Sequence, residues 1–157
     1  MKLSNLFKTK VDRNIYSPVK GFCTDIIKCS DSAFSSKTMG DGFLVVPESD
    51  MICAPCDGIL KMIFPTNHAF GLVTADGKEL IVHIGIDTVE LNGKGFQRIG
   101  QIETNVRRNE PIIKIDRKLL VEFGYDISVM TVIIGSENLV KKNLNQEVDV
   151  SDIIIER

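Results

Sequence analysis

Leu80-Ile81-Val82-His83-Ile84-Gly85-Ile86 alternates with a period of two. The pleat of a β-strand then puts Leu80, Val82, Ile84 and Ile86 on one face and Ile81, His83 and Gly85 on the other. The first face is apolar throughout and is expected to be core. His83 is directed away from that core, beside a glycine with no side chain to block approach to the imidazole. The same alternation recurs on both sides of this stretch. Strands are expected near Gly21–Lys28, Gly42–Pro47, Gly58–Phe64, Ala69–Thr74, Glu79–Ile84, Pro111–Ile115, Val129–Ile134 and Asp152–Glu156. Short alternating strands separated by Gly, Asp, Asn and Pro turns predict an all-β sandwich or barrel. Helix is confined to one or two short pieces. Arg117–Phe123 sets Leu119, Leu120 and Phe123 on one side and stops at Gly124, and Glu137–Lys142 is a weaker turn.

A faint internal repeat runs through the first half. Ser17-Pro18-Val19-Lys20-Gly21 before one strand is echoed by Ala54-Pro55-Cys56-Asp57-Gly58 before another, thirty-seven residues on. Proline sets the approach to a turn and glycine frees the backbone before the strand, so equivalent turns of a pseudo-symmetric sandwich have this form. Two unrelated turns built from the common turn residues have it too.

At 157 residues, 43% hydrophobic and 25% charged, the chain has the balance of one soluble globular domain. Its net charge of −2 offers no basic field for nucleic acid, which turns attention to protein or small-molecule partners. The N-terminal MKLSNLFKTK has lysines but no apolar run of a secretory signal, and no stretch approaches the length of a membrane-spanning helix, so a cytoplasmic location is expected. Residues 1–15 form an N-terminal extension, expected to be flexible, and 16–157 the domain. Leu3, Leu6 and Phe7 could share a helical face flanked by lysines, so residues 1–10 could make at most a weak membrane-surface contact, with a frayed terminus the plainer alternative.

Cys53-Ala54-Pro55-Cys56 has the outline of a redox dithiol. A thioredoxin-like site needs its second cysteine to enter a helix, whereas Asp57-Gly58 followed by ILKMIF signals a turn and a strand. The Cys23–Cys29 spacing does not complete a zinc knuckle with this pair, and all four cysteines are expected to be small buried residues.

The two histidines are the only ones in the chain, and both fall in segments of strand character. If Phe64-Pro65-Thr66-Asn67-His68 is extended, Phe64, Thr66 and His68 share a side, and the Thr66 hydroxyl can bond one ring nitrogen and define the role of the other. Two adjacent neutral imidazoles suit phosphoryl transfer, one as nucleophile and one as donor to the phosphoryl oxygens. Residue types alone leave a structural, hydrogen-bonded role open for both histidines, and do not place them together.

MGDG (39–42), APCDG (54–58), TNHAF (66–70), VHIGIDTVELNGKGF (82–96) and the DRKLL start near 116, in this order, resemble the glucose-type enzyme IIA of the bacterial phosphoenolpyruvate-dependent sugar phosphotransferase system. The resemblance covers about residues 16–157 and implies an antiparallel β-sandwich with a phosphocarrier role. It implies that His83 takes phosphate on Nε2 from the phosphohistidine of HPr and passes it to a cysteine of the IIB domain of a sugar permease. His68 would contact the phosphoryl group, Thr66 would orient His68, and the Gly85 carbonyl would hold the other ring nitrogen of His83. No metal or organic cofactor is implied. The docking surface would be apolar at Phe64, Ile81 and Val89, with Asp41, Asp87 and Glu90 as an acidic rim that steers a basic partner. Cys56 stands where the family turn would have valine, a change of similar size. Two other readings are a non-catalytic regulatory binding module and a zinc-dependent hydrolase, the latter without any HxH or HExxH spacing to support it.

Overall fold

The computed structural model describes residues 11–157 and is built almost entirely of antiparallel strands. They are β1 (Ile15–Tyr16), β2 (Gly21–Asp25), β3 (Gly40–Pro47), β4 (Met51–Cys53), β5 (Gly58–Ile63), β6 (Ala69–Val73) and β7 (Glu79–Ile84), then β8 (Phe96–Arg98), β9 (Thr104–Val106), β10 (Pro111–Ile115), β11 (Val129–Ile134), β12 (Val140–Lys141), β13 (Gln146–Val148) and β14 (Ile153–Glu156). Two short helices, α1 (Ser32–Ser35) and α2 (Arg117–Glu122), join them. An eight-stranded sheet in the order β13-β2-β3-β11-β7-β6-β5-β9 faces two three-stranded sheets, β1-β14-β12 and β4-β10-β8. Phe43, Phe70, Leu72, Leu80 and Val82 of the large sheet meet Ile15, Ile52, Ile112, Ile113, Ile154 and Ile155 of the small ones in one continuous core. Among the described residues no helix is long and apolar enough to cross a membrane.

The turn repeat is a real internal symmetry. The Tyr16 amide donates to the Pro55 carbonyl and the Cys53 amide to the Pro18 carbonyl, both at 2.8 Å, so the two turns bond each other reciprocally. The pairings follow suit: Tyr16 opposes Ile153 as Cys53 opposes Pro111, and Gly21 opposes Val148 as Gly58 opposes Val106.

Several boundaries differ from expectation for local reasons. The strand expected over Gly21–Lys28 stops at Asp25, whose carboxylate accepts the Ile27 amide at 3.1 Å and starts a 3-10 turn over Ile26–Lys28. Glu137–Lys142 is not helical: Asn138 and Asn143 take positive φ of 52° and 58°, and Val140–Lys141 between them pairs with β14. Ile86 leaves the core face shared by Leu80, Val82 and Ile84, because Gly85 at φ 78° breaks the alternation. It joins a second apolar cluster of Ile26, Cys29, Phe34, Leu44, Met130 and Val132. The boundary expected after residue 15 falls inside β1, where Ile15 is fully buried and paired with Ile155. The membrane-surface contact considered for residues 1–10 lies outside the described residues.

Candidate functional site

The register of the large sheet places His83 of β7 between Ala69 of β6 and Met130 of β11, on the face turned away from the main core. His68 immediately precedes β6, and its carbonyl accepts the Ile84 amide at 2.7 Å, which locks the two histidine segments together. The ring centroids lie 5.0 Å apart at 80°.

Each ring has a partner on Nδ1. His83 Nδ1 lies 2.9 Å from the Gly85 carbonyl oxygen. A carbonyl only accepts, so Nδ1 carries the proton and the neutral ring keeps a bare lone pair on Nε2. Gly85 can take up this position because it has no side chain: at φ 78°, a Cβ there would sit 2.4 Å from Thr88 Cγ2. His68 Nδ1 lies 2.5 Å from Thr66 Oγ1. With the hydroxyl donating, Nε2 of His68 carries the proton and is a donor on the ring that neighbours His83. The segment is a turn and not the extended run considered above. Asn67 takes φ 61° and donates to the Phe64 carbonyl at 2.7 Å, and Arg98 Nε holds Asn67 Oδ1 at 3.1 Å. The turn nevertheless brings Phe64 to 5.3 Å from the His68 ring.

Electrostatics keep both rings neutral at pH 7. Burial, reinforced by His68, pushes His83 down to about 4, against the opposing pull of the Gly85 bond, Asp31 and Asp87. His68 is lowered by burial. A neutral imidazole is the nucleophilic form.

Of the expected docking residues, Phe64 and Ile81 are half-buried beside the histidines, Val89 is 51% exposed, and Asp87 and Glu90 are exposed. Asp41 does not belong to the rim. It is 1% exposed, with Lys141 Nζ at 2.5 Å and the Gly42 and Leu139 amides on its two oxygens, so its charge is spent inside the fold. Two residues that sequence reasoning missed act on His83: Phe34, buried, whose ring lies 5.1 Å from that of His83, and Asp31, whose charge reaches it. Both come from Ser30–Ser36, where Asp31 caps α1 on the Ala33 amide at 2.9 Å. Its Ser-Asp-Ser-Ala start was a legible cap, and Phe34 was the one aromatic in a polar run.

The four cysteines are buried and free, and burial raises Cys53 to about 11 and Cys23 and Cys56 to about 12, so none is a ready thiolate. Among the described residues no three His, Cys, Asp or Glu side chains converge into a metal-binding group.

Comparison with known proteins bears on this arrangement. The family model of the phosphoenolpyruvate-dependent sugar phosphotransferase system, EIIA 1, matches residues 13–139. The chain is 40% identical over 139 residues to the glucose-specific EIIA component of Borreliella burgdorferi, covering 88% of this chain and 74% of that one. It is also 40% identical to the glucose-specific EIICBA component of Staphylococcus carnosus over 79% of its own length, which spans 18% of that protein. A glucoside-specific EIICBA component of the same organism is 40% identical over 80% of this chain and 18% of its own. The glucose permease IIA from Mycoplasma capricolum superposes with a TM-score of 0.80 at 30% identity, covering 90% of this chain and 93% of that one.

Proposed function

The chain belongs to the EIIA 1 family of the phosphoenolpyruvate-dependent sugar phosphotransferase system and is a phosphocarrier of that system, and we propose that His83 is the residue that carries the phosphoryl group. The observation that supports this most directly is the 2.9 Å contact of Gly85 on His83 Nδ1, which leaves Nε2 bare beside His68. In this reading, HPr is the donor and a IIB domain of a sugar permease the acceptor. The EIICBA names of two relatives accord with a B-type partner. A cytoplasmic location follows from such partners.

The chemistry balances without water or cofactor. The Nε2 lone pair of His83 attacks phosphorus while the N–P bond to the donor imidazole breaks, and that electron pair returns to the donor ring. As the new N–P bond forms, the His83 ring gains positive charge. The Gly85 carbonyl on Nδ1–H and the charges of Asp31 and Asp87 all favour it. His68, oriented by Thr66, donates from Nε2 to a phosphoryl oxygen. In the onward step a thiolate of the acceptor attacks phosphorus and the N–P pair returns to His83. Phe64, Ile81 and Val89 form the apolar part of the docking surface, backed by Phe34 buried against the His83 ring, and Asp31, Asp87 and Glu90 form its acidic rim.

The test is to incubate the protein with phosphoenolpyruvate, enzyme I and HPr and look for an acid-labile, base-stable phosphate. Wild type acquires it and His83→Ala does not, whereas His68→Gln still accepts but passes phosphate on slowly. Absence of phosphate on the wild-type protein would overturn the assignment.

A further inference from the structure

We propose that Thr88 is a positioning residue for this relay, clamping the Gly85–Asp87 loop so that the Gly85 carbonyl holds the His83 proton on Nδ1. The inference rests on His83 being the nucleophile, because its consequence is a bare Nε2. Thr88 is fully buried, and its hydroxyl donates to the Ile84 carbonyl at 2.5 Å, across the turn that carries Gly85. Its methyl fills the space beneath Gly85, where a Cβ would come within 2.4 Å of Cγ2 and 3.3 Å of Oγ1. One side chain thus pins the peptide that enters Gly85 and supports the residue from below.

Apart from the packing of Ile86 on the second apolar cluster, the rest of the loop is held by backbone hydrogen bonds. The Gly85 amide donates to the Ser128 carbonyl at 2.8 Å and the Ile86 amide to the Asp126 carbonyl at 2.9 Å. Asp87, at φ 59°, precedes the 3-10 turn Thr88–Leu91 without capping it through its side chain. The hydroxyl on Ile84 is therefore the side-chain tie that resists rotation of the Ile84–Gly85 peptide. Such a rotation changes φ of Gly85 and swings its carbonyl off His83 Nδ1. A neutral imidazole that loses this acceptor is free to move its proton to Nε2, and in that tautomer the attacking lone pair is gone.

The experiment uses the full chain labelled with 15N in its imidazoles; with two histidines both rings are resolved, and 15N shifts report which nitrogen is protonated. Thr88→Val removes the hydroxyl and keeps the bulk, whereas Thr88→Ser keeps the hydroxyl and removes the methyl. Thr88→Val is expected to turn His83 from a single Nδ1–H tautomer into a mixture and to slow single-turnover acceptance from phospho-HPr by about tenfold, leaving the His68 shifts in place. Thr88→Ser keeps the wild-type tautomer and a rate within about twofold of wild type. Should Thr88→Val fail to fold, Thr88→Ala is read in the same way. An unmoved His83 tautomer in the hydroxyl-free variant would overturn the proposal, as would equal slowing in both variants. If wild type takes up no phosphate at all, the phosphoryl role of His83 fails, while the shifts still decide whether Thr88 sets the tautomer.

Discussion

Lowering the pH from 8 to 5 separates a histidine tuned for nucleophilic work from an ordinary one. An imidazole at its usual value of 6.5 is only about 3% neutral at pH 5, whereas one held near 4, as His83 is, remains about 90% neutral. The competent population thus differs by about 30-fold. The same shift acts on stability, and because the folded-state value is depressed, the sign is that of a buried neutral base. The contribution is fully present above 6.5 and is lost as pH falls toward 4. At about 1.4 kcal/mol per unit, it totals about 3 kcal/mol, of which about 2 kcal/mol is gone by pH 5. The partial exposure of the ring makes these upper values. Asp41 and Asp126 are held below their ordinary 3.8 and lose their bonds at lower pH, and Glu147, which is raised, is common to wild type and His83→Gln and drops out of the difference between them. His68, lowered by burial, adds in the same direction. An NMR titration of the imidazole Cε1 protons locates the midpoint directly. Urea unfolding at pH 7.5 and pH 5 should show wild type losing up to about 2 kcal/mol more than His83→Gln. A His83 midpoint at 6 or above would refute the desolvation argument.

Four substitutions test other parts of the framework. Gly85→Ala forces a β-carbon into φ 78° and to 2.4 Å from Thr88 Cγ2; it should lower thermal stability by about 2 kcal/mol and reduce phosphate acceptance. Thr66→Val removes the partner of His68 Nδ1 and should slow onward transfer about tenfold while acceptance holds, as read by separate single-turnover assays of the two steps. Lys141→Met leaves the buried Asp41 with its two amide donors and, as the one cation within 4 Å among the described residues, Lys37 at 3.5 Å; urea unfolding should show a loss of about 3 kcal/mol, recovered in part by adding Asp41→Asn. Thr131→Val deletes a fully buried hydroxyl with no partner among the described residues and should raise stability by about 1 kcal/mol by the same measurement.

How much of this was legible follows from which forces are local. Alternation places β5, β6, β7, β10 and β11 within a residue of their observed ends, because one face of each packs on the core and the pattern records it. The two-residue and three-residue strands of the small sheets have no such record. Val140–Lys141 is a strand because β14 lies beside it, not because of its own residues. The four residues carried over from the family motif, His83, His68, Thr66 and Gly85, come together within one sheet face and its adjoining turns. The surface around them was harder to read, since Phe34 and Asp31 arrive from a helix-capped segment about fifty residues away in sequence and no periodicity links that segment to β7.

The misplaced Asp41 has an explanation in the internal symmetry. Phe22 opposes Val46 as Ile59 opposes Val73, and stepping along β3 and β6 from these pairs matches Gly42 with Ala69 and Asp41 with His68. Val132 opposes Gly42 as His83 opposes Ala69, so Val132 is the counterpart of His83, and Thr131 opposite Val82 lies at the pseudo-twofold axis. The cations correspond as well: Lys141 opposes Ile155 as Arg98 opposes Ile113. In each half a basic residue from a small sheet reaches back to tether the start of a strand in the large one, Lys141 to Asp41 and Arg98 to Asn67. The tether in one half meets a buried carboxylate and closes an ion pair. In the other it stops one residue short, on an amide, and leaves His68 to Thr66 and to the neighbouring imidazole. The same backbone position thus holds a buried ion pair in one half and, in the proposed relay, the donor imidazole in the other. A carboxylate in the Asp41 place is drawn inward by the fold itself, while the acids that act on His83 come from elsewhere: Asp87 from the loop after β7 and Asp31 from the helix-capped segment.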